Sequence, residues 1–468
     1  MSSTLLTDNR IPPDHLMGKY YTHEYTYNEY PHKSFWSSSF DHEDLKEAYR
    51  ALAKSDEDVS QMLFVNVPFC EHQCLFCICY TIITRDYPSI QRYIHSLCDE
   101  MKLYRHFCEE ISFTPDVREI HIGGGTPTIL QRPEFDQVID SIYSLTSRAK
   151  LLRFSLEIDP RTVTPEDLEY YAGKGIDRIS FGIQDFDPKV QRAIARIQPV
   201  ELLENLLTPA IRSLFVGFNF DVLCGLPRQT LESFRKTLEL TLQFTPNRIM
   251  LMFLNYCPDA QPHQRHMNEE EFPSLEMKWE MFGEAIERLL DAGYVRIGFD
   301  HFALPGDDLV EALRTKTMHW NSLGYRPAPC LDMIPFGAGS LGRITEDYYV
   351  QNIAPIDDYR KTVAQGRFPV AKGHHLNHDE KVRQHVIKTL RCYMSVEMQE
   401  VEEKYGIEFK PYFTKELQRL NPHVEDGLVH ITDDAIQITP LGLTFTAQIC
   451  GAFDAHIPEN NYEAHHKI

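Results

Sequence analysis

The chain has 468 residues, 43% hydrophobic and 25% charged, the make-up of a water-soluble globular protein long enough for a large core and more than one domain. Its formal net charge of −21 opposes nucleic-acid binding, which draws on clustered Lys and Arg, and disfavours polyanionic substrates unless a local basic pocket overrides it. No apolar run approaches the roughly 18–20 residues of a membrane helix. The start, MSSTLLTDNRIPPDHL, lacks the basic and apolar segments of a secretory signal, so a cytoplasmic location without stable membrane insertion is expected.

Residues 1–60 are rich in Tyr, His, Asp and Glu, hold one helical stretch near DLKEAYRALAKS, and read as an N-terminal arm. From 61 to 300, short apolar runs alternate with longer segments of helical period. The predicted strands are 62–67, 118–123, 152–158, 177–183, 216–223 and 248–254, with 294–299 as a seventh candidate. The predicted helices between them are 88–111, 132–147, 165–174, 188–196, 200–212, 230–243 and 273–292. Such alternation indicates consecutive βα units and a parallel sheet, here an α/β fold built as a partial (β/α)6 barrel, with chemistry expected at the C-terminal strand ends. Residues 301–378, with many Gly, Pro and Asp, read as loops covering the barrel mouth. Residues 379–468 read as a small C-terminal domain of helices around a hairpin, GLVHITDDAIQITP, of helical, winged-helix-like type.

Eleven cysteines, an odd number in a long chain, argue for metal or redox chemistry over a disulfide framework. Four of them crowd PFCEHQCLFCICY (68–80), directly after the first predicted strand. Three thiolates, Cys70, Cys74 and Cys77, on one tight loop suit a [4Fe–4S] cluster with one iron left without a protein ligand. A structural zinc with Cys79 as fourth ligand is the other reading. In HIGGGTPTIL (121–130), Gly123–Gly125 would let backbone carbonyls approach a ligand ammonium without Cβ interference. SLEIDP, FGIQDF, VQRAIAR and NFDVLCGLP supply Glu157, Gln184, Arg196 and Asp221 at strand ends or early in helices, where polar groups read as ligand contacts. Asp159 and Asp185 read equally well as caps or inter-loop ion pairs. Asp300 and His301 either touch substrate or brace a loop. GHHLNH (373–378) reads as a solvated loop in preference to a metal site, because no carboxylate or Cys has the expected spacing.

C-x3-C-x2-C after a strand, with the glycine segment one βα unit later, resembles the radical S-adenosylmethionine (SAM) superfamily. Together with FDHFALP (299–305) and DGLVHITDDAIQITPLG, these phrases resemble the oxygen-independent coproporphyrinogen III oxidase (HemN)-like family from about 60 to 455. The resemblance implies that Cys70, Cys74 and Cys77 ligate the cluster and that SAM binds its open iron. One electron then splits SAM into methionine and a 5′-deoxyadenosyl radical, with a second SAM nearby. It places Phe76, Gly124, Gly125, Thr126, Glu157, Gln184, Arg196, Asp221 and Leu223 at SAM-contact positions and leaves Cys79 outside the ligand set. It implies a small-molecule substrate and an electron donor such as flavodoxin or ferredoxin.

The oxidase branch reads Tyr-x-His-x-Pro-Phe-Cys before the cluster, where this chain has FVNVPFC. Phe64 thus takes the place of a phenol at a SAM-facing position, and Asn66 replaces the His. Of the oxidase's N-terminal phrase RYTSYP only Tyr30 and Pro31 remain, and Ser322 and Leu323 stand where a Phe-Gln pair neighbours the second SAM. A radical generator with a changed target is the expectation from these changes. The favoured reaction is methyl transfer, in which the radical takes hydrogen from the methyl of the second SAM, which then adds to an sp2 carbon of an aromatic or conjugated acceptor such as a quinone or heteroaromatic ring. Oxidative decarboxylation of coproporphyrinogen III to protoporphyrinogen IX is the alternative, and haem chaperoning a third reading.

Overall fold

The structure, a computed structural model, describes residues 12–20, 29–55 and 60–457. A twelve-stranded mixed sheet is its frame. Six strands run parallel in chain order: Gln61–Val67, Val117–Gly124, Arg153–Ile158, Arg178–Gln184, Gly217–Cys224 and Arg248–Phe253. The helices between them include Tyr87–Glu110, Arg132–Tyr143, Pro165–Gly173 and Leu231–Phe244. Proline in the first turn and capping boxes at Thr164 and Thr230 set where several begin. The stretch predicted as one helix over 200–212 is instead Val200–Leu206 and the short Pro209–Arg212, because Thr208 caps a new turn in front of Pro209.

Each barrel strand has two faces. Phe154, Leu156, Ile179, Phe181, Phe218 and Phe220 pack against the helices in the main core, while Ser155, Glu157, Arg178, Ser180, Asn219 and Asp221 line the interior. This period-2 division is the geometry of a strand, whose successive side chains point to opposite faces.

The sheet stays open. Beyond Arg248–Phe253 the next neighbour is His301–Ala303, antiparallel, and Val295–Ile297 lies outside that, so the seventh candidate is an edge strand. On the opposite flank, Asp332–Phe336 pairs parallel with Gln61–Val67, followed by antiparallel Leu341–Ile344, Tyr348–Asn352 and Val370–His375. The segment 301–378 is therefore not a set of loops. It extends the sheet and adds the hairpin Met318–Asn321/Gly324–Pro327 and the helices Asp308–Arg314 and Ile356–Ala364. Its strands are short and punctuated by Gly and Pro, and the partner of DMIPF lies at the start of the barrel, so no local pattern announces the pairing.

The helix His42–Ala53 of the N-terminal arm packs Leu45, Ala48, Tyr49 and Leu52 onto the barrel core. The earlier helix, Asp14–Tyr20, joins the C-terminal module instead, through Leu16, Met17 and a Lys19–Asp426 contact of 2.7 Å. The rest of the arm's residues 1–60 lies partly outside the described residues. The C-terminal module contains the helix His378–Tyr393, several short helices and a three-stranded sheet of Ser395–Glu397, Ala435–Ile438 and Val429–Ile431, as the helix-plus-hairpin pattern predicts. No helix among the described residues is long and apolar enough to cross a membrane.

Candidate active site

The cysteine loop leaves the first barrel strand and interlocks with the glycine loop of the second. Gly125 N–H donates to the Val67 carbonyl at 2.9 Å and Thr126 N–H to that of Phe69 at 2.8 Å. The Thr126 hydroxyl lies 3.2 Å from Cys70 Sγ. Side-chain space explains the glycines more directly than access for a ligand ammonium does. A Cβ on Gly123 would stand 2.6 Å from the Glu157 carboxylate, one on Gly124 (φ +110) 1.7 Å from Asn66 Oδ1, and one on Gly125 2.6 Å from the Phe69 carbonyl oxygen. The triplet lets two loops and one carboxylate share a volume that side chains would fill.

Around Cys74 the donors are cationic. Arg161 and Arg196 each bring a guanidinium nitrogen to 3.6 Å from its Sγ. Asp159 holds both, at 2.6 Å from Arg161 and 3.3 Å from Arg196, and Arg196 also donates to the Gly182 carbonyl at 2.8 Å. Asp159 is therefore an ion-pair partner. Asp185, fully buried and bound by Gln229, Thr237 and the Asp187 N–H, is structural. Burial raises the Cys70 thiol to about 11, whereas a hydrogen bond from Cys79 brings Cys77 down to about 7.

The donor set fits a cluster better than a single ion. N–H groups aimed at a sulfur, as those of Arg161 and Arg196 are at Cys74, stabilise thiolate ligands of iron. Cys70, Cys74 and Cys77 would hold the cluster, and Cys79 is exposed and faces the neighbouring cavity.

That cavity, about 580 Å3, occupies the barrel interior and is closed partly by the hairpin at 318–327 and partly by the C-terminal module. Glu157 accepts from His121 Nε2 at 2.8 Å and Gly124 N–H at 3.2 Å. Burial works to raise its pKa, but the His121 hydrogen bond and charge, with Gly124, hold the carboxyl below the usual range. Asp221 accepts from Asn219 Nδ2 at 2.7 Å and Ser180 at 3.3 Å, yet burial lifts it to about 6. Gln184 adopts φ +64 and leaves its Oε1 buried without a partner among the described residues. A buried, under-bonded amide on strained backbone is a place for a ligand donor.

Phe76 and Leu223 meet in one small apolar cluster with Ile194 and Met252. Phe64 stands apart from the lining, packed with Met62, Cys330, Met333 and Leu323, its ring 6.0 Å from that of His121. Asn66 points into the protein and donates to the Ala338 carbonyl at 2.6 Å. Asp300 and His301 both line the cavity, joined by a 2.7 Å hydrogen bond at His301 Nδ1. In GHHLNH, His374 is not free in solvent but bonds Glu380, 3.0 Å away and six residues further along the chain. Sequence reasoning missed His121, Arg161, Trp320, Tyr325 and Arg391. The first had a signal, since it shares the inward parity of Glu119 in REIHIG. The others depend on long-range packing.

Comparison with known proteins agrees with this architecture. Residues 67–241 match the family described as "Radical SAM superfamily", and residues 376–445 match "HemN C-terminal domain". An oxygen-independent coproporphyrinogen III oxidase of Synechocystis sp. is 33% identical over 446 residues, covering 94% of each chain. The Helicobacter pylori protein of that name is 33% identical over 92% of this chain and 94% of its own. The solved structure of coproporphyrinogen III oxidase (HemN) from Escherichia coli, a radical SAM enzyme by its description, superposes with a TM-score of 0.86 at 30% identity, covering 96% of this chain and 100% of that one. The chain belongs to the HemN-like family of the radical SAM superfamily, whose members use a [4Fe–4S] cluster and SAM.

Proposed function

We propose that this enzyme oxidatively decarboxylates propionate side chains of a coproporphyrinogen-type tetrapyrrole. The observation that carries the reading is a cavity beside the thiol loop bordered by four arginines, of which Arg178, Arg248 and Arg326 are paired with carboxylates and Arg391 stands at ion-pair distance from none among the described residues. A local cation of this kind is what a polycarboxylate needs to overcome the acidic surface of a chain of net charge −21. The near full-length relatives carry the oxidase name, which favours decarboxylation over the methyl transfer expected from the substitutions. Of those substitutions, Asn66 is bound to Ala338 and does not line the cavity, whereas Ser322 and Leu323 do.

When bound, the cluster supplies the electron that splits SAM into methionine and a hydrogen-abstracting radical; a flavodoxin- or ferredoxin-type protein is the donor in this reading. Cys70, Cys74 and Cys77 hold the cluster. Gln184, Arg196, Thr126 and the glycine loop orient SAM, with Glu157 and Asp221 positioned for its polar groups and Phe76 and Leu223 for its apolar face. For each propionate, one hydrogen atom leaves the β carbon to the radical, CO2 leaves, and one further electron passes to an external acceptor, giving a vinyl group. The barrel, the hairpin and the C-terminal module keep water from the radical.

The test is anaerobic incubation of the reconstituted protein with coproporphyrinogen III and methyl-deuterated SAM. CO2 release with vinyl products free of label is expected. SAM cleavage without decarboxylation would overturn the reading, label in a product would mark methyl transfer, and haem binding without SAM cleavage would mark a chaperone.

A further inference from the structure

The four arginines bordering the cavity are not equivalent. Arg178 reaches Asp308 at 3.1 Å and Asp307 at 3.7 Å. Arg248 reaches Asp307 at 2.8 Å and also meets Asp308. Arg326 reaches Glu119 at 2.6 Å. Beneath them Arg153 shares Glu119 and Asp308. Every one of these guanidiniums touches a carboxylate.

Arg391 touches none among the described residues. It is 7% exposed, and its Nε, like those of Arg178 and Arg326, is buried without a hydrogen-bond partner among the described residues, so the missing carboxylate is what sets it apart. Against burial, its charge, after that of His301, helps hold the Asp300 carboxyl below the usual range. A buried cation with no hydrogen-bonded anion is still costly unless something replaces its hydration. Here the indole of Trp320 does so in part, with the guanidinium carbon 3.9 Å from the ring centroid. A guanidinium held over an indole can still offer its N–H groups to a planar anion. Tyr325 fixes the stack: its ring lies 4.4 Å from Trp320 and its hydroxyl donates to the Arg391 carbonyl at 3.2 Å. The same indole meets His301 edge-on at 6.0 Å. Asp300, the nearby carboxylate, directs its hydrogen bond to His301 and not to Arg391.

We infer that Arg391, presented on Trp320, is the anchor for a substrate carboxylate in the cavity, an inference that rests on the decarboxylation reading. A carboxylate there comes either from a propionate or from the methionyl end of a SAM molecule, and the assignment is to the propionate. Arg391 belongs to the helix His378–Tyr393, so the C-terminal module contributes recognition while the barrel contributes the thiols.

Binding of coproporphyrin III, the oxidised macrocycle with its four carboxylates, is compared with that of its tetramethyl ester, on wild type, Arg391→Gln and Arg391→Lys. Iron content and far-UV spectra confirm that each variant folds. The Gln variant should lose about 10- to 100-fold in affinity for the acid, the worth of a charged hydrogen-bonded contact, and nothing for the ester. The Lys variant, which keeps charge without the planar stack, should fall between. KM for coproporphyrinogen III should follow the same order. Acid-over-ester preference unchanged in both variants would overturn the anchor while leaving the decarboxylation reading intact. A raised KM for SAM with that preference unchanged would overturn the propionate assignment. An Arg391-dependent preference in a protein that releases no CO2 would uphold the anchor and overturn the reaction, and wild type that binds neither porphyrin would overturn both.

Discussion

The two ends of the barrel interior hold similar residue types and use them in opposite ways. At the N-terminal end, Arg153, Arg178, Arg248 and Arg326 close on Glu119, Asp307 and Asp308 in ion pairs, while Arg178 Nε and Arg326 Nε stay without a partner among the described residues. At the C-terminal end, beside the thiols, Gln184 Oε1 and His121 Nδ1 are buried without partners among the described residues, and Asp221 is held only by neutral donors. Strand alternation directs polar side chains inward along the whole barrel; what separates floor from site is whether arginine and carboxylate are already closed into ion pairs.

The largest expected effect lies at the site end. Replacing Cys70, Cys74 or Cys77 by Ala should abolish SAM cleavage and cost most of the bound iron, whereas Cys79→Ala should keep its iron; iron and sulfide analysis with a SAM-cleavage assay reads both. Iron loss from Cys79→Ala would dissolve the distinction drawn within the loop.

At the floor the effect should be on folding alone. Glu119→Gln leaves Arg326 without its anion and Arg153 with Asp308 alone, a change that costs about 3–5 kcal/mol when a buried pair is broken. Denaturant unfolding should show that loss. SAM cleavage per bound cluster should stay at wild type, and a fall there would mean that the floor takes part in the chemistry.

Glu100 tests the comparison at an intermediate point, as a buried carboxylate held only by neutral donors: Tyr359 at 2.6 Å, Gly337 N–H at 2.7 Å and Asn352 at 2.7 Å. Burial, against those three bonds, raises it from 4.5 to about 7. A raised folded-state pKa contributes stability that is complete below the unfolded value and lost as pH rises to the folded one. Stability should therefore decline between about pH 4.5 and 7, by on the order of 3 kcal/mol from this group. Glu100→Gln should remove that share of the slope in thermal midpoints measured across the window; an unchanged slope would place the titration elsewhere.

Much of the frame was legible because its signals are local. The six barrel strands lie within two residues of their predicted bounds, since runs such as RFSLEI and RISFGIQ carry both apolar length and flanking turns. The thiol loop was legible for the same reason, as spacing within ten residues. The strands at 332–375 were not, because their identity comes from the partner they pair with. Nor did sequence separate Asn66, locked onto Ala338, from the cavity-facing residues two positions either side of other strand ends. The role of Arg391 is further from view still, since a lone Arg in a helical pattern gives no sign that an indole from another segment will lie beneath it.

Ile78 and Gln448 face the same cavity although they come from opposite halves of the chain. The thiol and glycine loops, by contrast, follow neighbouring strands one βα unit apart. During synthesis the cradle for the cluster can form long before the last wall of the reaction chamber exists. In the proposed reading, the C-terminal module completes the wall of a chamber whose reactive end is built from the first two barrel strands.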